Sequence, residues 1–363
     1  MNDRSQQLLH IFPTFAAGGA QMRFCAVANH FGTRFRHAIV AIDGVTTCRE
    51  RLNPGLLVDY LGIAEHKGDM IGNVLRYRSV LRDLAPDVLV THNWGSMEWA
   101  IANQIVERPH VHIEDGFGPE ERDRQLPRRV WTRRLMLRAA TTVLPSRVLE
   151  RIARSVWRLP KKRLRYIPNG IDLTRFAVRQ PGDPAAPLVI GTVAGLRPEK
   201  NIGRLLRAFA LLLQHASARL VIVGSGNELP ALQALASSLG IARHVRFAGH
   251  MPATEAAYRE FDIFALPSDT EQMPISLLEA MASGLPVAAT NVGDVAEMLA
   301  EPNRRFVVPR DDAALAAALR ELSADARLRA ALGTANRIRT EAEYGQDRMF
   351  RAYAELLLPR AAA

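Results

Sequence analysis

Two glutamates, Glu271 and Glu279, stand eight positions apart in the run EQMPISLLEAMASGLPVAAT. The spacing predicts one carboxylate in a loop and the other inside the helix that follows, so that both can face one ligand. Pro274 suits a first helical turn, where a missing N–H costs nothing, and Gly284 suits a helix stop before an apolar strand at 286–290. The helix then starts beside Glu271, and its unpaired amides near Ile275, Ser276 and Leu277 point at whatever the glutamates hold. Carboxylates accept hydroxyl hydrogens and helix amides donate to an anion. A sugar carried on a diphosphate needs both.

The same stretch closes an ordered series: PNGID at 168–172, GTVAGLRPEKN at 191–201, VIVGSGNE at 221–228 and RFAGH at 246–250. In order and spacing, this series followed by Glu271, seven residues, Glu279 and a G-L-P turn resembles the donor half of the retaining GT-B glycosyltransferases of family 4. The resemblance is strong from about 166 to 299 and weak in the first half, as expected if that half reads a variable acceptor.

The resemblance implies an α/β chain of GT-B type: two doubly wound Rossmann-like domains facing a central cleft, with a C-terminal helix crossing back. It implies transfer from a nucleotide sugar, with UDP-sugars favoured over GDP- or ADP-sugars and no metal or other cofactor. It further implies that the acceptor is a hydroxyl of a glycan or lipid-linked molecule in bacterial surface polysaccharide synthesis. Glu279 is assigned to the ribose hydroxyls and Glu271 to the hydroxyls of the donor sugar. Lys200 stands where the leaving diphosphate would lie. Retaining transfer breaks the anomeric bond early, so charge grows on that phosphate and a preplaced cation lowers the barrier selectively.

Several positions depart from the family pattern. Gly195 occupies the place of an arginine, leaving Arg197 to act from the other side of Leu196; Asp115 occupies the place of a histidine near the reacting carbon, with Glu114 as its alternative. Gln272, Met273 and Pro274 replace glycines after the first glutamate, which would narrow the sugar pocket. Gly18 and Gly19 let backbone approach a phosphate or an acceptor, or serve only as a tight strand-to-helix turn. Gly224 and Gly226 open a helix near the nucleotide, and Gly249 and His250 line its base. His92 and Asn93, after a strand, are candidates for acceptor contact, although a lone histidine is more often structural.

The elements that must position these residues follow from periodicity. Apolar runs at 8–12, 38–42, 88–90, 111–113 and 142–144 read as buried strands, and a second series runs through 188–193, 220–223, 245–247, 263–266, 287–289 and 306–308. Helices such as 202–213, 228–239 and 346–358 fall between or after them. The proline- and glycine-rich stretch RQPGDPAAP at 179–187 marks the domain boundary, giving domains at 1–180 and 188–342 and a returning helix at 343–363. Ligands bind such sheets at the carboxyl ends of the strands, which makes the cleft the expected site.

With 363 residues, 48% hydrophobic and 23% charged, the chain is an ordinary globular protein long enough for two cores, and no apolar run approaches the length of a membrane span. Cys25 and Cys48 form no metal spacing and read as buried thiols, and the opening residues lack a signal-like core, so a cytoplasmic protein is expected. The formal charge of +10 is concentrated in Arg122–Arg165, where Val130, Trp131, Leu135, Met136 and Leu137 interleave with arginines. That pattern fits a basic amphipathic helix on an anionic membrane surface, or a solvated helix packed on its own domain. No pattern for specific nucleic-acid binding accompanies the charge. Three other readings share the outline: a GT-B sugar-nucleotide epimerase, a noncatalytic nucleotide-sugar-binding module, and a polyanion-binding protein.

Overall fold

The computed structural model describes residues 5–121, 124–178 and 186–358. They form two compact units, one within 1–168 and 350–363, the other within 169–349. The boundary stretch at 179–187 lies outside the described residues except for 186–187. The change of unit comes earlier than that stretch, because residues 169–178 are tied into the second unit. The Ile171 amide donates to Tyr344 O at 2.8 Å, the Gln346 amide donates to Ile171 O at 3.0 Å, and Phe176 is buried in that unit's core.

In the first unit seven parallel strands, β1 (Gln6–Phe12), β2 (Phe35–Ala41), β3 (Leu57–Tyr60), β4 (Val88–His92), β5 (His110–Ile113), β6 (Thr141–Leu144) and β7 (Leu164–Tyr166), lie in the order 3-2-1-4-5-6-7. Helices α1 (Gly19–Phe31), α2 (Met70–Leu84), α3 (Met97–Val106), α4 (Pro127–Met136) and α5 (Arg147–Ser155) connect them. Strands β3 and β7 are absent from the sequence reading for one reason: both are edge strands without a continuous apolar run. β3 is largely exposed and carries Asp59, paired with Arg36 on β2 at 2.9 Å, while β7 is three residues with an exposed Arg165 between Leu164 and Tyr166.

The second unit has six parallel strands, β8 (Leu188–Val193), β9 (Ala218–Val223), β10 (Val245–Gly249), β11 (Ile263–Leu266), β12 (Val287–Thr290) and β13 (Val307–Val308), in the order 10-9-8-11-12-13. Its helices are α6 (Ile202–Leu212), α7 (Leu229–Ser238), α8 (Glu255–Glu260), α9 (Ile275–Ala282), α10 (Val295–Met298), α11 (Asp312–Ala324) and α12 (Ala326–Glu343). Alternation along the strands divides the core between the two faces. Ile190, Leu220, Ile222 and Ile263 meet α6, α7 and α11, whereas Val189, Val221, Phe264 and Leu266 meet α8 and α9. Burial on both faces is why these strands read as unbroken apolar runs. A last helix, α13 (Gln346–Leu357), starts in the second unit, and from Phe350 onward it belongs to the first, where His30 stacks on Phe350 at 3.9 Å.

Helix α4 departs from a single apolar stripe, for Leu137 at its end is buried and Val130 and Met136 pack beside it. Arg129 and Arg133 point inward, Arg133 with no exposed surface, whereas Trp131 and Leu135 are 56% and 55% exposed. The arginines are drawn inside by two buried carboxylates: Arg133 donates to Glu114 at 3.1 Å and Glu121 at 3.0 Å, and Arg129 contacts Glu121 at 3.1 Å as well as the exposed Glu120 at 2.6 Å. Trp94 lies against both guanidinium groups, with centroids 4.8 and 5.1 Å away. Among the described residues no helix is long and apolar enough to cross a membrane.

Candidate active site

In each unit the strand order reverses between two adjacent strands, β1 and β4 in the first and β8 and β11 in the second. Loops leaving such a pair diverge and open a crevice at their carboxyl ends. In the second unit these are the loops that carry Lys200 and Glu271. Lys200 closes a single helical turn at Pro198–Lys200, and Asn201, in a left-handed conformation at φ 42°, caps α6 by accepting from the Arg204 amide at 3.0 Å. The loops are bound together through Asp269, whose amide donates to Glu199 O at 2.8 Å and whose carboxylate pairs with Arg204 at 2.8 Å.

That lacing places Lys200 Nζ 2.6 Å from Glu271 Oε1. Ser268 Oγ donates to the same oxygen at 2.8 Å. Among the described residues nothing donates to Glu271 Oε2, although the side chain is only 8% exposed. The arrangement is an anchored carboxylate with one oxygen held and one open to accept, beside a cation.

Immediately after Glu271, helix α9 begins. Pro274 is its N-cap, one position before the helical turn the sequence suggested, and has extended backbone at ψ 125°. No side chain caps the helix, so the amides of Ile275, Ser276 and Leu277 are the orphan donors of its first turn. Of the three residues expected to narrow the sugar pocket, Met273 and Pro274 are buried, Met273 in the core, and Gln272 is half-buried. Gly284 ends the helix at φ 69°. Glu279, one helix length on, is partly exposed and accepts from Tyr258 Oη at 2.8 Å and from Thr254.

The glycines of the G-S-G turn have a structural duty. A β-carbon on Gly224 would lie 1.8 Å from Ala194 O, and one on Gly226 would lie 2.2 Å from Leu196 O. Only bare backbone lets the loop after β9 close on the loop after β8, and thereby hold Gly195 and Lys200 in place. Gly224 also donates to Gly249 O at 2.8 Å, and His250 beyond it is exposed. Arg197 is not at the Lys200–Glu271 pair: it binds Glu199 at 3.0 Å with a 63% exposed side chain.

In the first unit Gly18 is the N-cap of α1 and Gly19 its first residue. Asp115 pairs with Arg23 of α1 at 2.6 Å, and its amide donates to Asn93 Oδ1 at 2.7 Å, joining the loops after β4 and β5. His92 is buried and stacked on Phe12 at 3.8 Å; burial, reinforced by the nearby Arg23 charge, holds its imidazole neutral. Glu114 has no exposed surface and is taken up by Arg133. Neither offers an acceptor a surface comparable to that of Asp115. Sequence reading missed Ser268, Tyr258, Thr254, Arg204 and Arg23. Ser268 lies only three positions from its partner Glu271, but the partners of the others lie outside any local pattern, Arg23 and Asp115 being 92 positions apart. Among the described residues no group of ligating side chains could hold a metal ion.

Comparison with known proteins supports both halves. Residues 17–175 match the family model described as Glycosyltransferase Family 4, and residues 175–339 match Glycosyl transferases group 1. The chain is 35% identical over 202 residues, 49% of its length and 52% of the relative's, to a GDP-mannose-dependent alpha-(1-6)-phosphatidylinositol monomannoside mannosyltransferase of Mycolicibacterium smegmatis. It is 37% identical over 191 residues, 47% of its length and 46% of the relative's, to a D-inositol 3-phosphate glycosyltransferase of Corynebacterium jeikeium. The matches thus span about half the length of these curated relatives.

Among solved structures, Anabaena HepE in complex with UDP and glucose superposes at a TM-score of 0.80 with 18% identity, over 97% of this chain and 99% of that one. WaaG, a glycosyltransferase involved in lipopolysaccharide biosynthesis, does so at 0.73 with 17% identity, over 97% and 100%. At such identities the superpositions establish the fold, which is GT-B. The chain is a two-unit α/β protein of that fold with glycosyltransferase domains in both halves. The preference for UDP-sugars drawn from the sequence finds no support, since the Mycolicibacterium smegmatis relative is named as GDP-mannose-dependent.

Proposed function

We propose that this protein is a retaining, metal-independent glycosyltransferase that moves a sugar from a nucleotide sugar to a hydroxyl of a glycan or lipid-linked acceptor. The observation that carries the reading is the Lys200–Glu271 pair at the β8/β11 reversal, directly before the uncapped start of α9. Glu271 Oε2 accepts from the sugar hydroxyls, the α9 amides and Lys200 face the diphosphate, and Glu279 accepts from the ribose. Arg197 turns from Glu199 to the diphosphate when it is bound. The acceptor hydroxyl attacks from the face the phosphate leaves, and its proton passes to the departing phosphate oxygen. The C–O bond formed therefore replaces the one broken. The loop joined by Asn93 and Asp115 in the first unit is assigned to acceptor recognition.

The test is thermal stabilisation by UDP, GDP, ADP and their sugar conjugates. A ligand at about 100 times its dissociation constant adds about 2.7 kcal/mol, and the base that shifts the transition names the donor. A flat response to every nucleotide would remove the donor site and with it this function.

The outward face of α4 fits an anionic lipid surface on the acceptor side. Trp131 and Leu135 form its apolar centre, Arg134 covers Trp131 at 4.6 Å, and exposed Arg128 and Arg138 flank it. Sedimentation with phosphatidylglycerol vesicles is expected to be lost in a Trp131→Glu, Leu135→Glu double variant and to weaken with salt. Equal sedimentation of the double variant and the native protein would rule this face out.

A further inference from the structure

Cys25 on α1 and Cys48, in the short helical turn Thr47–Arg51 after β2, are both buried in the first unit, and their sulfurs lie 3.7 Å apart. They share one apolar cluster with Phe12, Phe15, Phe24, Ala28 and Ile39. The two thiols stand 23 positions apart in the chain, so the fold makes their contact. Hydrogen bonds pin the backbone around it. The Cys48 amide donates to Phe15 O at 2.9 Å, in the loop that leads into α1. Asn29, one turn beyond Cys25 on α1, donates to Arg51 O at 2.9 Å and accepts from the Asn53 amide at 2.8 Å. A disulfide needs its sulfurs about 2 Å apart. Side-chain rotation can close that gap while the pinned segments stay in place.

The two thiols are not equivalent. Cys25 Sγ lies 3.7 Å from Cys48 O as well as from Cys48 Sγ, so its hydrogen has two acceptors on that residue. The hydrogen bond from Cys25, and then the Arg51 charge, hold the Cys48 thiol below the ordinary range against the effect of burial. The same bond, together with burial, pushes the Cys25 thiol up. Cys48 is therefore the nucleophile and Cys25 the resolving thiol. Access comes from the outer segment: Thr47, Arg49 and Glu50 beside Cys48 are exposed, and a short surface turn opens at low cost. Hydrogen peroxide, scarcely larger than water, needs no wider opening.

We propose that Cys25 and Cys48 form a peroxide-responsive dithiol that closes reversibly to a disulfide and locks the segment after β2 onto α1. The Cys48 thiolate attacks one peroxide oxygen: an S–O bond forms, the O–O bond breaks, and hydroxide leaves, taking up the proton that Cys48 shed. The Cys25 sulfur then attacks the Cys48 sulfur; the S–S bond forms, the S–O bond breaks, and water leaves with the Cys25 proton. Two thiols and one hydrogen peroxide give one disulfide and two waters, the sulfurs losing the two electrons that the peroxide gains. Where thiols are kept reduced, such a bond is transient and is reopened by exchange with a dithiol. The loop it locks holds Phe15 and runs on to Gly18 and Gly19 at the start of α1.

The test exposes the folded, reduced protein to an equimolar amount of hydrogen peroxide, quenches with catalase, and unfolds the chain in an alkylating reagent for peptide mapping by mass. The native protein is expected to lose both alkylation sites, to yield a peptide pair joined through Cys25 and Cys48, and to regain both sites after dithiothreitol. The thermal midpoint of the oxidised form should rise, because a crosslink restricts the unfolded chain, and should fall back on reduction. In Cys25→Ser the Cys48 sulfur lacks its resolving partner and should stop at the sulfenic acid, trapped by dimedone. Cys48→Ser should give no such adduct.

Two free thiols after peroxide overturn the proposal, as do a disulfide between two copies of the chain and a lowered midpoint in the oxidised form. Equal adducts in the two serine variants overturn the order of attack. Should a serine variant fail to fold, the native peptide map and midpoint decide alone. None of these readouts uses a nucleotide sugar, so the outcome is independent of the donor site.

Discussion

Lys200→Ala is expected to slow sugar transfer about 10²–10³-fold, equivalent to about 2.7–4 kcal/mol of transition-state stabilisation. The loss should appear in the rate constant more than in donor affinity, because the leaving diphosphate gains its charge only as the anomeric bond breaks. The variant also strips Glu271 of the cation at 2.6 Å, leaving a nearly buried carboxylate with Ser268 as its anchor. Lys200→Arg should recover little, since a planar guanidinium cannot reproduce a compact ammonium at the same contact. Glu271→Gln removes the charge that orients Lys200 and should weaken both. Release of nucleoside diphosphate from the donor named by thermal stabilisation, in the presence of acceptor, measures all three. A fully active Lys200→Ala protein would exclude the proposed leaving-group role.

The second large effect concerns stability. Arg133→Met should destabilise the first unit by about 3–5 kcal/mol, because it leaves Glu114 and Glu121 buried without their central cation. The same guanidinium also lies 5.0 Å from the Trp157 centroid and 5.3 Å from that of Phe117, so packing is lost along with charge. Replacing Arg133, Glu114 and Glu121 together by apolar residues of similar volume should recover most of the loss, which separates an orphaned charge from a missing contact. The cluster should also fail on acidification. Burial pushes the Glu121 carboxyl up, but Arg133 and Arg129 outweigh it and hold the group below the ordinary carboxylate range. Its contribution is therefore complete above that range and lost as pH falls through the lowered value. Urea denaturation of the single and triple variants is the measurement. An Arg133→Met protein within about 1 kcal/mol of the native one would show the cluster to be structurally idle.

Much of the fold was legible because its central strands are buried on both faces. Residues 188–193 and 263–266 appear as β8 and β11 with the bounds read from the chain, and helix 202–213 ends one residue early at Leu212. The edge strands of the first sheet were not legible, whereas β10 and β13 at the edges of the second were read at 245–247 and 306–308. β3 and β7 have one solvent-facing side and lack the apolar run that marks a buried strand. In helix α4 the sequence showed arginines interleaved with apolar residues but not that Arg129 and Arg133 face inward, because that depends on buried carboxylates. Glu114 and Glu121 are 19 and 12 positions from Arg133, too far to betray that pairing in the sequence.

By itself the sequence determined the types and order of the groups that could handle a diphosphate and a sugar: a lysine after one strand, a glutamate before a helix, another glutamate within it, and glycines where two loops must touch. These are local facts, set by propensity and by the absence of a side chain. Only the tertiary structure decided which groups meet. The reversal between β8 and β11 brings Lys200 to Glu271 across 71 positions, and Asp269 clamps the two loops in register. The same folding set Tyr258 against Glu279 and turned Arg197 toward Glu199. Charge pairing and hydrogen bonding between side chains depend on distances of a few ångströms between segments remote along the chain, and a linear pattern holds no record of them.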